Sequence, residues 1–342
     1  METNEKDPSV VLSVEELRTY FFMMAGVVKA VDGVSFSLRK GETLGIVGES
    51  GSGKSMTALS IMNLIPKPSA KVVGGRIMFE EKNLLELKQK EMEKIRGKDI
   101  SMIFQDPMTS IDPVFPIGKQ MIEVIRSHMN LTPAQAKERA LHALRLVGIP
   151  DVEKRFYSYA HEFSGGMRQR VIIAMAIVCE SKLIIADEPT TALDVTVQAQ
   201  VLNLLKELQK RLGTPMILIT HNICVIWEMC DTVMVMYAGK TVEHASVASL
   251  YETPLHPYTW GLLDSVPRLN QDTSKPLAVI EAIPSEEEST GDSCCFYDRC
   301  PYRKKICLEK SPRLKELSKG HFVACHLQES QEVMLKREGG SN

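Results

Sequence analysis

Nowhere in the 342 residues is there an apolar run long enough to cross a bilayer. The longest, such as Leu183–Ala186 and Met216–Ile219, are strand-sized, whereas a span needs ~20 apolar residues. An excess of charge of one sign is also missing: 41 Lys and Arg stand against 43 Asp and Glu, a net charge of -2. That balance argues against a duplex nucleic-acid binder built on a broad basic face. Aromatic residues are sparse, at 6%. No internal repeat and no sustained heptad pattern occur. The opening Met1–Asp7 is too polar for a signal peptide, so a cytoplasmic location is expected, with any membrane role arising from docking onto other subunits. What is present, 44% hydrophobic and 25% charged residues, suits a protein with a sizeable core. Its length fits a large α/β domain plus an appendage.

Periodicity gives an order to the chain. Val10–Leu38 alternates apolar and polar residues and predicts strands joined by a turn near Gly26. Thr43–Val47 is a short apolar run between Gly41 and Gly48 and predicts a buried strand. Lys54–Leu64 has helical spacing and stops before Pro66. Ile117–Met129 and Pro133–Val147 predict a helical block inserted into the core. The pattern then predicts helices at Met167–Cys179 and Val195–Leu212, and strands at Leu183–Ala186, Met216–Thr220 and Val233–Tyr237. This alternation implies a mainly parallel, doubly wound sheet. Between about Asp264 and Gly291, three prolines and the run Glu286–Glu288 suggest a linker.

Three motifs carry chemistry. Gly48-Glu-Ser-Gly-Ser-Gly-Lys54-Ser55 fits the phosphate-loop pattern, between a strand and a helix. Its glycines let backbone N–H groups wrap phosphates, Lys54 supplies a cation for the β/γ-phosphates, Ser55 supplies a hydroxyl for Mg²⁺, and the helix dipole faces the anion. Leu183-Ile-Ile-Ala-Asp187-Glu188 ends a buried strand on two carboxylates. Asp187 would hold Mg²⁺, and Glu188 would orient or deprotonate an attacking water. Phe163-Ser164-Gly165-Gly166 opens a helix with Ser164 as N-cap, leaving backbone N–H groups open to an anion.

Together these motifs resemble the ATP-binding cassette (ABC) family of transport ATPases over roughly residues 10–265. The resemblance implies a P-loop NTPase of the α/β class: a RecA-like core with an antiparallel β subdomain and an α-helical subdomain at about 107–165. It implies ATP and Mg²⁺ as ligands. The ATP-binding set would be Gly48, Ser50, Gly51, Ser52, Gly53, Lys54, Ser55 and Met56, with an aromatic stacking on adenine. Phe21 is favoured for that role by its distance to the Gly26 turn, and Tyr20 is the alternative. Gln105 matches the family glutamine that touches Mg²⁺, alongside Ser55 and Asp187, and senses the membrane subunits. His221, after the strand Met216–Thr220, matches the γ-phosphate sensor. Catalysis is thereby assigned to Glu188, His221, Lys54 and Gln105. In the family two cassettes meet head to tail, so Ser164, Gly165, Gly166 and Asp194 would contact ATP held by a partner. Phe163 and Met167 depart from the usual Leu and Gln of that signature but leave its Ser-Gly-Gly intact.

Finer features point to a branch. Phe104–Ser110 with Asp112-Pro113, Ser164–Arg170, and Pro254-Leu-His-Pro-Tyr-Thr259 resemble the ATPase subunits of dipeptide and oligopeptide importers. The expected partners are therefore a paralogous second ATPase subunit or a second copy, two transmembrane permease subunits and, indirectly, an extracytoplasmic substrate-binding protein. No nucleic acid is expected. Nickel or sugar importers, and a soluble cassette acting on ribosomes, are the alternatives. The expected place of work is the cytoplasmic face of the membrane.

Eight cysteines are unevenly placed. Cys179, Cys224 and Cys230 lie in apolar or helical contexts and are expected to be buried thiols. The rest crowd into the segment 266–342, read as a cysteine-rich extension of the cassette domain 1–265. Cys294, Cys300, Cys307 and Cys325, with five, six and seventeen residues between them, match the family's C-terminal cysteine motif. They could hold a [4Fe–4S] cluster, as in some members of this branch, or Zn²⁺, or no metal. Cys295 is the spare.

Overall fold

The computed structural model describes residues 7–106, 110–191, 193–266 and 292–329. Its strands run β1 (Val10–Met23), β2 (Gly26–Arg39), β3 (Thr43–Val47), β4 (Ala70–Phe79), β5 (Lys82–Asn83), β6 (Ile100–Ile103), β7 (Leu183–Asp187), β8 (Met216–Thr220), β9 (Thr232–Tyr237), β10 (Lys240–Ser246), β11 (Lys315–Ser318) and β12 (His321–Val323). Two sheets result among the described residues. One is antiparallel, in the order β2-β1-β4-β5. The other has the order β11-β12-β10-β9-β3-β8-β7-β6.

The hairpin at Gly26 forms as expected. Met23 pairs with Gly26, whose φ of 131° is open to glycine at little steric cost. In the larger sheet β9, β3, β8, β7 and β6 are parallel. Strands β3, β7 and β8 are buried at every residue, because layers cover both faces. Their side chains alternate between those layers. Ile184, Ala186, Met216 and Leu218 enter one apolar cluster with the inserted helical block. Leu183, Ile185, Ile217 and Ile219 enter another with the antiparallel sheet and the helix Lys54–Ile61.

Helices follow their capping signals. Pro133–Leu146 starts from a capping box of Thr132 and Gln135. Val195–Leu212 runs from Asp194, which caps Val197, to Gly213 at φ 62°. The helix Gly165–Ile177 begins at the Ser164 cap, two residues ahead of the sequence pattern. Strand β4 with its neighbouring β5 was not visible as a periodic signal.

The parallel sheet does not end at β9. Strand β10 pairs antiparallel with β9, β12 with β10, and β11 with β12. The C-terminal segment therefore continues the central sheet. Phe296, Cys294 and Cys307 join Val47, Val235 and Tyr258 in a third apolar cluster. At the seam a fully buried Glu243 is satisfied by the N–H groups of Leu255 (2.7 Å) and His256 (3.0 Å) and by His321 Nε2 at 2.8 Å. The segment 267–291, which holds most of the expected linker, lies outside the described residues. No helix among the described residues is long and apolar enough to cross a membrane.

Candidate functional site

The site forms where β3, β7 and β8 end, at the carboxyl edge of a parallel sheet, where loops and helix N-termini can meet a ligand. The loop after β3 is built against its neighbours. A Cβ on Gly48 would lie 2.2 Å from the Met236 carbonyl oxygen, and one on Gly53, at φ 100°, 2.2 Å from that of Ala30. The backbone can pass here only without side chains. Gly239 N–H donates to Ser52 O at 3.0 Å and fixes the loop to the β9–β10 turn. Gly51 and Ser50 lie on its exposed side, and Ser52 is buried.

Lys54 opens the following helix and is 5% exposed. Its Nζ donates to Gly48 O and Glu49 O, both at 2.8 Å. Burial lowers its pKa, opposed by the charges of Glu188, Asp187 and Glu49. Ser55 Oγ donates to Asp187 Oδ1 at 3.0 Å, joining the phosphate loop to the end of β7. Burial raises the Asp187 pKa, and the neighbouring Glu188 charge adds to it. Met56 is half-buried and packs against the second apolar cluster.

Glu188 is the hub. It is 9% exposed, sits at a left-handed φ of 46°, and its N–H is held by Ile219 O at 2.9 Å. Its Oε2 accepts from Gln105 Nε2 at 2.9 Å and Thr191 Oγ1 at 2.8 Å, and its Oε1 meets His221 Nδ1 at 3.2 Å. Residues far apart in the chain thus converge: Lys54, Ser55, Gln105, Asp187, Glu188 and His221. Thr191 had gone unnoticed in the sequence. Its signal was a hydroxyl three residues beyond the second carboxylate, within a Pro-containing turn. Pro107–Thr109 and Ala192, within the motifs around Gln105 and Asp194, lie outside the described residues.

The Ser-Gly-Gly signature is elsewhere, on the helical block. Ser164 Oγ accepts the Met167 N–H at 3.4 Å, and Gly166 faces Val197, whose Cγ1 would lie 2.5 Å from an added Cβ. Asp194 bonds to Val197 N–H at 3.0 Å. These bonds are local to their own helix starts. Of the aromatics, Tyr20 donates its hydroxyl to Asp32 Oδ1 at 2.6 Å, and burial together with that bond pushes its pKa up to about 12. Phe21 is half-buried. Strand alternation puts it with Thr19, whose hydroxyl meets Ser60 on the phosphate-loop helix at 2.8 Å.

The hydroxyl and carboxylate oxygens of Ser55 and Asp187 are hard donors of the kind Mg²⁺ takes, and with the amide of Gln105 they fit that ion. The cysteine tail is different. All its thiols are free. Cys294 N–H donates to Cys307 O at 2.8 Å. Burial pushes Cys325 up to about 12 and Cys300 to about 11, each also feeling Cys294 and Cys307. A hydrogen bond from Cys295 pulls Cys294 down to about 7, and Cys295 rises in return. Cys294, Cys300 and Cys307 thus lie at one apolar cluster, and Cys325 feels the charge of all three. Yet no group of three or more His, Cys, Asp or Glu among the described residues is arranged to hold a metal ion. The metal shell expected of Cys294, Cys300, Cys307 and Cys325 is therefore not seen among the described residues, and burial holds Cys300 and Cys325 as neutral thiols. A second correction concerns Cys224. It is exposed at the start of the helix Ile223–Met229, while Cys179 is buried and Cys230 half-buried.

Comparison with known proteins agrees with this geometry. Residues 31–191 match the ABC transporter family, and residues 242–307 match the oligopeptide/dipeptide transporter C-terminal region. The chain is 49% identical over 325 residues to a probable peptide ABC transporter ATP-binding protein of Sinorhizobium fredii, covering 95% of this chain and 97% of that one. It is 50% identical over 321 residues to the dipeptide transport ATP-binding protein DppD of Bacillus subtilis, covering 94% and 96%. Among solved structures, CbiO1 of Clostridium perfringens, part of the ABC transporter complex CbiONQ, is 30% identical. It superposes with a TM-score of 0.61 over 72% of this chain and 92% of that one.

Proposed function

The chain belongs to the ABC transporter family as an ATP-hydrolysing subunit, and from that premise we propose that it powers the import of dipeptides or oligopeptides from the cytoplasmic face of the membrane. The observation that carries this reading is the convergence on Glu188. One carboxylate is held by Gln105, Thr191 and His221 beside a lysine and a Ser–Asp pair.

In this reading Gly48, Ser50, Gly51, Ser52, Gly53 and Ser55 bind the phosphates of ATP, Met56 flanks them, and Phe21, or else Tyr20, stacks on adenine. Lys54 turns from the loop carbonyls to the β/γ-phosphates. Ser55, Asp187 and Gln105 would hold Mg²⁺, which when bound neutralises charge on the phosphoryl oxygens. Glu188 orients the attacking water and accepts its proton, with Gln105 and Thr191 fixing the carboxylate. His221, whose Nδ1 lies 3.2 Å from Glu188 Oε1, would contact the γ-phosphate. Ser164, Gly165, Gly166 and Asp194 serve ATP on a partner cassette, a reading supported by side-chain bonds of Ser164 and Asp194 that stay within their own helix starts and by the open N–H groups of the Ser164-capped helix. The partner is a paralogous ATPase subunit or a second copy. Two permease subunits receive the motion, and an extracytoplasmic binding protein acts through them. Residues 1–265 form the nucleotide-binding domain, with its helical part at about 107–165, and 266–342 the extension.

The test is Glu188→Gln in the importer reconstituted with its permeases. Peptide-stimulated ATP turnover should fall about 10²–10⁴-fold while ATP still binds; undiminished turnover overturns the assignment.

For the tail, the finer reading is a [4Fe–4S] cluster on Cys294, Cys300, Cys307 and Cys325, with Zn²⁺ as the alternative and a purely structural role. Its support is four free thiols, of which Cys294, Cys300 and Cys307 lie at one apolar cluster and Cys325 feels the charge of all three. Protein purified without oxygen should then carry about four irons and four sulfides per chain, lost in Cys300→Ser. Zinc alone or no metal removes the cluster from this reading and leaves the ATPase intact.

A further inference from the structure

The motif that binds phosphate carries an acidic side chain at its second position. Glu49 sits between Gly48 and Ser50, and its carbonyl oxygen accepts from Lys54 Nζ at 2.8 Å. A free carboxylate there would oppose the approach of a polyanion and would pull on the lysine meant for it. The charge does reach Lys54, since Glu49 is among the anions that favour its protonated form.

The carboxylate is not free. Arg299 from the C-terminal segment meets it as a fork: Nη1 donates to Oε2 at 2.7 Å and Nη2 to Oε1 at 3.0 Å. Such paired bonds fix both distance and direction. Arg299 is 16% exposed at its side chain and lies over the Tyr237 ring, its guanidinium carbon 5.7 Å from the centroid, with Nη1 3.4 Å from the Tyr237 hydroxyl. A second hold comes from the same region. The fully buried Tyr258 accepts the Glu49 N–H on its hydroxyl at 2.8 Å. Tyr258, Tyr237 and Phe296 pack on one another, with ring centroids 4.8–5.5 Å apart. Arg299 ends the short helical turn Tyr297–Arg299, directly before Cys300.

We infer that Arg299 is a positioning residue for nucleotide binding: it neutralises Glu49 and turns its carboxylate away from the phosphates, so that the C-terminal segment sets the electrostatics of the phosphate loop. This rests on the loop binding ATP, as proposed above. The inference explains how an acid can stand inside an anion-binding loop. It also gives the cysteine-bearing segment a connection to the nucleotide that needs no metal.

The experiment measures equilibrium binding of a fluorescent ATP analogue and its ADP counterpart to the full chain. Because Glu49 is 39% exposed at its side chain, solvent screens the effect, and Arg299→Ala should weaken ATP about three- to tenfold. ADP, with less charge, should weaken less. Glu49→Gln should bind ATP at least as tightly as the unmodified chain. Arg299→Ala combined with Glu49→Gln should return to within about twofold of Glu49→Gln alone, because no charge is left to neutralise. A purely structural role for Arg299 predicts no such rescue, so a double variant as weak as Arg299→Ala overturns the inference. Unchanged ATP binding in Arg299→Ala, with binding lost in Lys54→Ala, overturns it too and leaves the ATPase reading standing. Undiminished binding in Lys54→Ala overturns the ATPase reading, and this inference with it.

Discussion

The nucleotide site and the cysteine pocket both bury reactive side chains, and they do so by opposite means. At the nucleotide site each charged group has partners: Lys54 has two loop carbonyls, Asp187 has Ser55, and Glu188 has Gln105, Thr191 and His221. A buried charge without partners costs several kcal/mol, so the groups can persist only as a fixed constellation. In the pocket, by contrast, Cys300 and Cys325 are held neutral by burial. A neutral thiol packs as a small hydrophobe and demands no geometry. The first region is therefore positioned by its chemistry. The second is positioned by packing, through Phe296 and the pairing of β12 with β10.

The sharpest way to separate the two regions is Lys54→Ala. ATP affinity should fall about 10²–10³-fold, the scale of losing a charged group aimed at an anion. The melting temperature and the accessibility of the tail thiols to an alkylating reagent should stay unchanged. A tail that opened in this variant would break the distinction.

Acid should act on the other region. His244 and His256, at the seam between β10 and the tail, are pushed down to about 4, mainly by burial. His244 also feels His321, while the adjacent Glu243 opposes the shift at His256. In the unfolded chain both return to ~6.5. Between these values the unfolded state binds more protons, so stability present above pH 6.5 is lost as pH falls toward 4. By pH 5 the loss should reach about 2 kcal/mol for each histidine, about 4 kcal/mol together, read as a fall in melting temperature of several degrees. His256→Gln should remove about half of that pH dependence, leaving the share of His244.

The smallest expected effect lies where the regions touch. Tyr258→Phe removes the acceptor for the Glu49 N–H and should cost about 1 kcal/mol, seen as an up to fivefold weaker binding of ATP with turnover at saturation retained. An equal loss of turnover would mean that the contact supports the reaction rather than the binding.

Much of this was legible in the sequence. The phosphate loop, the strand ending in Asp187-Glu188, the Ser164 cap and the helical block needed only periodicity and motif order, because each is written in consecutive residues. The buried alternation of β7 and β8 followed from their apolar runs. Strand β4 was not legible, because its Val72-Val-Gly-Gly-Arg76 stretch lacks a clean two-residue period and its pairing with β1 is interrupted by register shifts. Thr191 was hidden because one hydroxyl in a turn carries no signal until the carboxylate it meets is known.

By itself, the sequence determined which groups could do phosphate chemistry, since residue types at fixed spacing decide what a loop or strand end can bind. Tertiary structure alone decided which distant groups meet. The turn of β7 into Glu188 at φ 46° sets that carboxylate among Gln105, Thr191 and His221. The extension of the central sheet by β10 and β12 brings the C-terminal segment back onto the phosphate loop, so that Arg299 reaches Glu49 across 250 residues. Such a pairing depends on strand order and on closing a long loop, and neither is encoded in local residue spacing.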